Sequence, residues 1–262
     1  SLGYPSATSF DLSQFGSSTS IVSPSYAGAN EVSSIVNVSK TAASGFFNAI
    51  VRSGTNINAT GAPASGLESG IGLIGRGSNG NGFRGHIAEV IVYNRSLSTS
   101  ETSAIKTYLA LKYGLTIDVS DHLYFSNASY NFGTASIAQF NNALLNQVTS
   151  KSEEGDAILT LSSPDDLDNG EVLTVGHNNG PLAFGGGSVN CALARLLRRS
   201  WFVEEIGEVG EIRLEFETAA LGSINPNETV LLIDKNNNGF QDDALIHGEL
   251  FGTTLRFNNV DL

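Results

Sequence analysis

The residues best suited to chemistry stand in one short stretch, DKNNNGFQDD (234–243), directly after the apolar run VLLI (230–233). Calcium loops place oxygen donors at alternate positions, with glycine where the chain turns sharply. Counting from Asp234, Asn236 and Asn238 take the third and fifth places, Gly239 the sixth, the Phe240 carbonyl the seventh and Asp242 the ninth. The twelfth is Leu245, so the bidentate glutamate of an EF-hand is missing. The preceding element reads as a strand, not a helix. The pattern is therefore a DxNxNG calcium-type loop on a β-scaffold, with Asp234, Asn236, Asn238, Phe240 and Asp242 as metal ligands for a structural Ca2+. Few of those ligands are charged, so the expected affinity is that of extracellular modules, about 10⁻⁴–10⁻³ M. The competing reading is a hairpin loop rich in Asn, Asp and Gly because they tolerate left-handed backbone. The sequence leaves both open.

Other polar groups offer less. SPDDLDNGE carries Asp165, Asp166, Asp168 and Glu171 and reads as a polar turn after a proline. His86, His122, His177 and His247 lie at no metal-ligand spacing from one another, so surface or turn positions are expected for all four. Glu204 with Glu205, or Glu215 with Glu217, could supply a glycosidase carboxylate pair. Each pair sits on an alternating strand, where a solvated face is the simpler reading. No G-x-S-x-G, H-E-x-x-H or P-loop pattern occurs, and no catalytic residue is assigned. Arg195, Arg198 and Arg199 in ARLLRRSW read as strand-edge and ion-pair material. Trp201, the single tryptophan, is expected in a core strand rather than on a sugar-stacking platform. Cys191, the single cysteine, has no intrachain disulfide partner and reads as a buried, inert thiol.

Composition says which elements must position these groups. Charged residues make up only 15% of the chain, and 29 glycines accompany abundant Ser, Thr and Asn, which favours short strands joined by turns. Acidic residues outnumber basic ones 26 to 14, so a phosphate backbone is repelled and nucleic acid is not an expected partner. No apolar run reaches about 18 residues, so no membrane span is expected. Methionine is absent even at position 1, which points to a processed or excised piece of something longer.

The first hundred residues read as strands and turns. EVSSIVNVSK and GFFNAIVRSG have partial alternation, and HIAEVIVYNR, with Ile87 to Val92, is the strongest strand signal of this half. A helix follows. Ser98 and Glu101 form an S-x-x-E capping box, Ala104, Ile105, Tyr108, Leu109 and Lys112 fall at helical spacing, and Gly114 is the expected stop. Its Ile105–Tyr108–Leu109 face is expected to pack on a sheet. Strands then resume in AILTLS (157–162), EVLTVGHN (171–178), RSWFVEE (199–205), EIRLEFE (211–217) and TVLLIDK (229–235). In EIRLEFE, Ile212, Leu214 and Phe216 should face inward, and Arg213, Glu215 and Glu217 outward. GEVG (207–210) reads as a hairpin turn between the Trp201 strand and EIRLEFE.

The run GLIGRGSNGNGFRGHIAEVIVYNRSLSTSETSAIKTYLALKYGLTID (72–118) resembles the C-terminal end of laminin-G-like, concanavalin-A-like jelly-roll domains in large surface proteins of Bacteroidota. The stretches LTLSSPDDLDNGEVLTVGHN and RLLRRSWFVEEIGEVGEIRLEF are similar to the β-domain that follows it there. That resemblance implies an all-β chain of two β-sandwich modules, an incomplete laminin-G-like jelly roll over 1–116 and a second antiparallel β-sandwich over 117–262, joined by one short helix. The first strands of the jelly roll are expected to be missing, so family calcium or sugar ligands that would lie on them are not assigned. It further implies a non-catalytic segment of an exported, extracellular cell-surface protein, an adhesin or stalk of the type IX secretion and gliding-motility kind, contacting a glycan or a surface protein. Tyr93–Asn94–Arg95 and Asn79–Phe83 are the contact loops it suggests. Two alternatives stay open: a carbohydrate-binding module of a secreted glycan-degrading enzyme, and a secretion cargo or filament subunit whose partners are proteins, including export machinery.

Overall fold

The computed structural model describes strand backbone and Ser33 within residues 2–61, and then residues 86–141, 144–186, 195–222, 224–236 and 245–262. The chain divides into two compact units, residues 1–102 and 103–262. All the strand pairs are antiparallel, and α1 (Thr99–Tyr113) is the single α-helix among the described residues.

The first unit holds two three-stranded meanders. One joins β1 (Leu2–Ser6), β2 (Ser9–Ser13) and β3 (Ser20–Val22). The other joins β4 (Ser34–Lys40), β5 (Gly45–Val51) and β6 (Thr55–Gly61), so EVSSIVNVSK and GFFNAIVRSG do form strands. The strand expected at Ile87–Val92 does not form. Residues 86–93 have no regular structure, and Ile87, Val90, Ile91 and Val92 are exposed. β-propensity measures packing against neighbours, and no described strand pairs with this segment.

The second unit contains β7 (Phe132–Phe140), β8 (Leu145–Gln147), β9 (Thr149–Lys151), β10 (Leu159–Ser162), β11 (Val172–His177), β12 (Phe184–Gly186), β13 (Arg195–Leu197), β14 (Trp201–Ile206), β15 (Ile212–Glu217), β16 (Val230–Leu232), β17 (Leu245–His247), β18 (Glu249–Phe251) and β19 (Thr254–Val260). One sheet runs β14-β11-β7-β8 and the other β18-β19-β15-β10-β9, while β12-β13 and β16-β17 form separate hairpins. The core lies between the two sheets. Ala135, Ile137, Leu173 and Val175 from one meet Leu159, Leu161, Ile212, Leu214, Phe216, Leu255 and Phe257 from the other. Ile212, Leu214 and Phe216 are buried at alternate places, as their period of two requires. Trp201 packs edge-on to Phe216 with ring centroids 5.2 Å apart, so the tryptophan belongs to this core.

The other face of the four-stranded sheet is covered too. Ala138, Leu145 and Val172 meet Leu111 of α1, with Tyr108, Tyr124 and Phe140 packed around them. Every residue of β11 is buried as a result. The helix begins as its sequence demands: the Glu101 N–H donates to Ser98 Oγ (3.3 Å), and the Ser98 N–H donates to Glu101 Oε2 (2.9 Å). It stops at Gly114, whose φ of 62° is left-handed. A Cβ there would stand 2.3 Å from the Lys151 carbonyl oxygen, so the site also needs glycine for space.

Two expectations are corrected here. The buried stripe of α1 is Ser103, Lys106, Thr107, Ala110 and Leu111; of the expected Ile105–Tyr108–Leu109 face, Tyr108 packs on the sheet but none of the three is fully buried. Polar partners rotate the helix: Lys106 Nζ binds Asp121 Oδ2 (2.9 Å), while Thr107 Oγ1 donates to the Asp121 carbonyl (3.1 Å) and accepts the Leu123 N–H (3.1 Å). A lysine and a threonine can be buried when their polar ends are paired. The second correction concerns GEVG, which is not a hairpin turn. It carries the chain from β14 in one sheet to β15 in the other. Gly207 and Gly210 have positive φ, and between them the fully buried Val209 drops into the core. The Glu205 carboxylate accepts the Val209 N–H at 2.8 Å. A buried valine braced this way makes an arch.

Candidate functional site

The Asp234 stretch lies where a strand hands over to a loop. β16 and β17 pair with Leu232 opposite Leu245, and residues 233–244 connect them. That connection is far longer than the usual hairpin loop of about 2–5 residues. Asp234 is half-buried, Asn236 is exposed, and Lys235 Nζ pairs with Asp261 Oδ2 at 2.7 Å, tethering the start of the loop to the chain's last strand region. Asn238, Phe240 and Asp242 lie outside the described residues, as do Cys191 and the stretch Asn79–Phe83. The described part thus places Asp234 and Asn236 at the start of the long connection between β16 and β17.

A different polar cluster is built at the end of β11, and the sequence did not announce it. Glu154, Asp156 and His177 bring one potential ligand atom each to within 4.8 Å of one another. Glu154 and Asp156 come from the connection between β9 and β10. His177 ends β11 and is 2% exposed, and His122 is 8% exposed, so both contradict the surface or turn positions expected for the histidines. His86 and His247 are exposed. Flanking apolar surface explains the burial. His177 faces Phe132 and the edge of Trp201, and His122 faces the edge of Phe125. Gly133 has a φ of 53° and lies so close that a Cβ on it would stand 2.5 Å from His177 Nε2.

Arg199 sits in the middle of the cluster and is 5% exposed. Its Nη2 binds Asp156 Oδ2 (2.7 Å), its Nη1 the Asp156 carbonyl (3.0 Å), and its Nε the Gly180 carbonyl (2.8 Å). The expectation of ion-pair material holds for this arginine. Burial alone would raise the Asp156 carboxyl, but the hydrogen bond and charge of Arg199 outweigh it and hold it below its ordinary value. His177 is pushed down to about 4, first by burial and then by the Arg199 charge, with Asp156 partly opposing.

Hydrogen bonding decides whether this set fits a metal. The Asn179 N–H donates to His177 Nδ1 at 3.0 Å, so the ring's proton is on Nε2. Neither nitrogen then offers a free lone pair: Nδ1 accepts that N–H, and Nε2 carries the proton and stands 3.4 Å from Arg199 Nη1, a close approach of two donors rather than a hydrogen bond. A divalent cation would have to displace both the backbone N–H and the guanidinium, whose positive charge the carboxylates already use. The donor set does not fit a metal. It is an ionic tie between a buried arginine and a half-exposed aspartate, with one loose end: Glu154 Oε1 is buried and has no hydrogen-bond partner.

The acid pairs considered for glycoside chemistry are likewise engaged. Glu204 accepts from the Ser126 N–H (2.8 Å) and hydroxyl. Glu205 braces Val209, and burial raises it, with that N–H opposing and Glu208, Asp261 and Glu171 adding to the rise. Glu215 pairs with Arg256 (2.7 Å) and Glu217 with Lys151. In the acidic turn, Glu171 accepts the N–H groups of Asp168 and Glu208. Arg95, in the suggested Tyr93–Asn94–Arg95 contact turn, pairs with Glu101 at 2.7 Å. A small polar hollow of about 80 Å³ is lined by Ser163, Asp165, Glu211, Ile212, Arg213, Asn258 and Asn259.

Residues 101–262 match a family described only as a domain of unknown function, DUF8202. The chain belongs to the DUF8202 family. The match begins within α1, close to the division between the two compact units, so the DUF8202 domain includes the helix as well as the sandwich. No curated protein and no solved structure matches the chain. Two residues of the DUF8202 tie were visible in the sequence only as fragments. Arg199 stood in a basic cluster, and His177 ends an unbroken buried strand, where a histidine has apolar neighbours on the same face.

Proposed function

We propose that the chain is a non-catalytic segment of an exported bacterial cell-surface protein, an adhesin or stalk that displays β-modules to a glycan or protein ligand. One observation carries this reading. Among the described residues, Asp156, Glu204, Glu205, Glu215, Glu217 and His177 are committed to holding the fold, each by a backbone N–H, guanidinium or ammonium partner. A general acid or base must be within reach of a substrate proton, and these groups are spent on positioning chain. Among the described residues no helix is long and apolar enough to cross a membrane.

The test is binding set against turnover. The protein is presented to glycan and surface-protein arrays, and soluble products are assayed on the same panel. Retention without products is the expected result. Product release that disappears in Glu215→Gln would overturn it in favour of a glycosidase.

We further propose that the 233–244 loop holds a structural Ca2+ through Asp234, Asn236, Asn238, the Phe240 carbonyl and Asp242. The reading rests on donor spacing and on an unusually long hairpin connection between β16 and β17. Millimolar Ca2+ is expected to raise the melting temperature, and Asp234→Ala to remove the rise. A melt that ignores both Ca2+ and EGTA would sink it.

A further inference from the structure

We propose that the neck of the β12–β13 hairpin is an acid-released latch, closed by Arg199 across Asp156 and opened when His177 takes up a proton. The neck is where the hairpin leaves the sandwich. Its two sides are stitched by Asn178 and Ser200: the Asn178 N–H donates to the Ser200 carbonyl (3.1 Å), and Asn178 Oδ1 accepts the N–H groups of Gly180 (2.9 Å) and Ser200 (3.2 Å). The stitch is fixed to the sandwich by Arg199, which reaches from the neck to both the carbonyl and the carboxylate of Asp156. His177 lies directly beneath and supports the neck through the Asn179 N–H.

The charged groups facing His177 are Arg199 from the neck and Glu154 and Asp156 from the β9–β10 connection. β7 presents Phe132 and Gly133, and β14 presents Trp201, none of them charged. Neutral His177 keeps Nδ1 free to accept the Asn179 N–H, with its single N–H, at Nε2, beside the Arg199 guanidinium. The protonated ring does not, because it acquires an N–H at Nδ1 aimed at the Asn179 N–H, which is also a donor. It also places a second positive charge 3.4 Å from Arg199 Nη1. The acceptors within reach of it are the buried, unpartnered Glu154 Oε1 and the Asp156 carboxylate that Arg199 already binds. Turning toward them withdraws the ring from Asn179 and competes with Arg199 for Asp156. The neck then loses both its supports together.

The direction in pH follows. His177 titrates at 6.5 when free and at about 4 in the closed fold. The latch is therefore fully closed above about pH 6.5 and weakens as the pH falls toward 4. Asp156 is held below its ordinary value, so it stays charged through most of that window and its own neutralisation is not what opens the neck.

Hydrogen exchange by mass spectrometry on the full chain, corrected for the intrinsic pH dependence of exchange, reads the latch directly. Protection at 178–180 and 195–200 is expected to fall as the pH drops through the histidine range, while β10, β15 and β19 stay protected. The His177 ring titration, followed by NMR in the unmodified protein, should coincide with that fall. His177→Gln, which cannot be protonated there, should make neck protection independent of pH, whether its level is high or low. His122→Gln should leave the dependence in place. A pH-dependent neck that persists in His177→Gln overturns the proposal. So does a His177 titration out of step with the loss, or simultaneous loss of protection in neck and core.

Discussion

The fold sets the chemistry of Arg199 and of the two buried histidines, His122 and His177. Replacing Arg199 by Met keeps an unbranched apolar stem but removes three donors, leaving the Gly180 and Asp156 carbonyls and the Asp156 carboxylate without them. Asp156 is half exposed, so water recovers part of the loss, and the expected cost is about 2–4 kcal/mol in urea denaturation. His122 makes a cleaner pH probe than His177 because burial, not a neighbouring charge, shifts it. Burial alone lowers it from 6.5 to about 4, and its Nδ1 accepts the Tyr124 N–H at 3.1 Å. The unfolded chain therefore binds the proton more tightly than the folded one. Stability is full above about pH 6.5 and is lost as the pH falls toward 4, by roughly 3 kcal/mol. Comparing denaturation midpoints of the unmodified protein and His122→Gln across that range isolates the contribution, and equal pH slopes would refute it. None of this was legible from spacing, because the histidine partners are backbone N–H groups and a distant arginine. A one-dimensional search for ligand pairs passes over such sites.

The elements were more legible than their assembly. The capping box and Gly114 fixed both ends of α1 from local chemistry, and the alternation in EIRLEFE identified the inward face of β15, because both signals are contained within a few residues. Which sheet a strand joins depends on contacts across the chain. GEVG therefore looked like a hairpin turn although it arches between sheets, and HIAEVIVYNR looked like a strand although it finds no described partner. The helix face was misjudged for a similar reason. Hydrophobicity pointed to Ile105 and Leu109, while the partners of Lys106 and Thr107 are Asp121 and Leu123, more than a dozen residues away. Gly114 tests how tightly the end of α1 is held. Alanine there meets a left-handed φ and the Lys151 carbonyl at once, so Gly114→Ala should cost about 2 kcal/mol or more in thermal or urea unfolding. An unchanged midpoint would mean that the helix end and β9 separate freely.

Whether α1 links two modules or belongs to one of them decides what the folding unit is. A cut at 116 follows the reading of the helix as a connection. The contacts and the DUF8202 match both place the division near its start instead. The packing says what a cut at 116 would expose. Leu111 is 1% exposed against Ala138, Leu145 and Val172, and without it the outer face of the four-stranded sheet opens to water. Thr134 would also lose its partners, since its N–H and hydroxyl bond Thr116 Oγ1 and its hydroxyl bonds the Leu115 carbonyl. Asp121 would be left without the Lys106 ammonium, itself almost entirely buried. Loss of Leu111 packing alone is of the order of 2–5 kcal/mol, a large part of the 5–15 kcal/mol that keeps a typical domain folded. Residues 99–262 should therefore unfold in one cooperative transition, and residues 117–262 should melt well below them or fail to fold. Equal melting temperatures for the two fragments would return the helix to the role of a spacer and move the boundary of the folding unit to the end of α1.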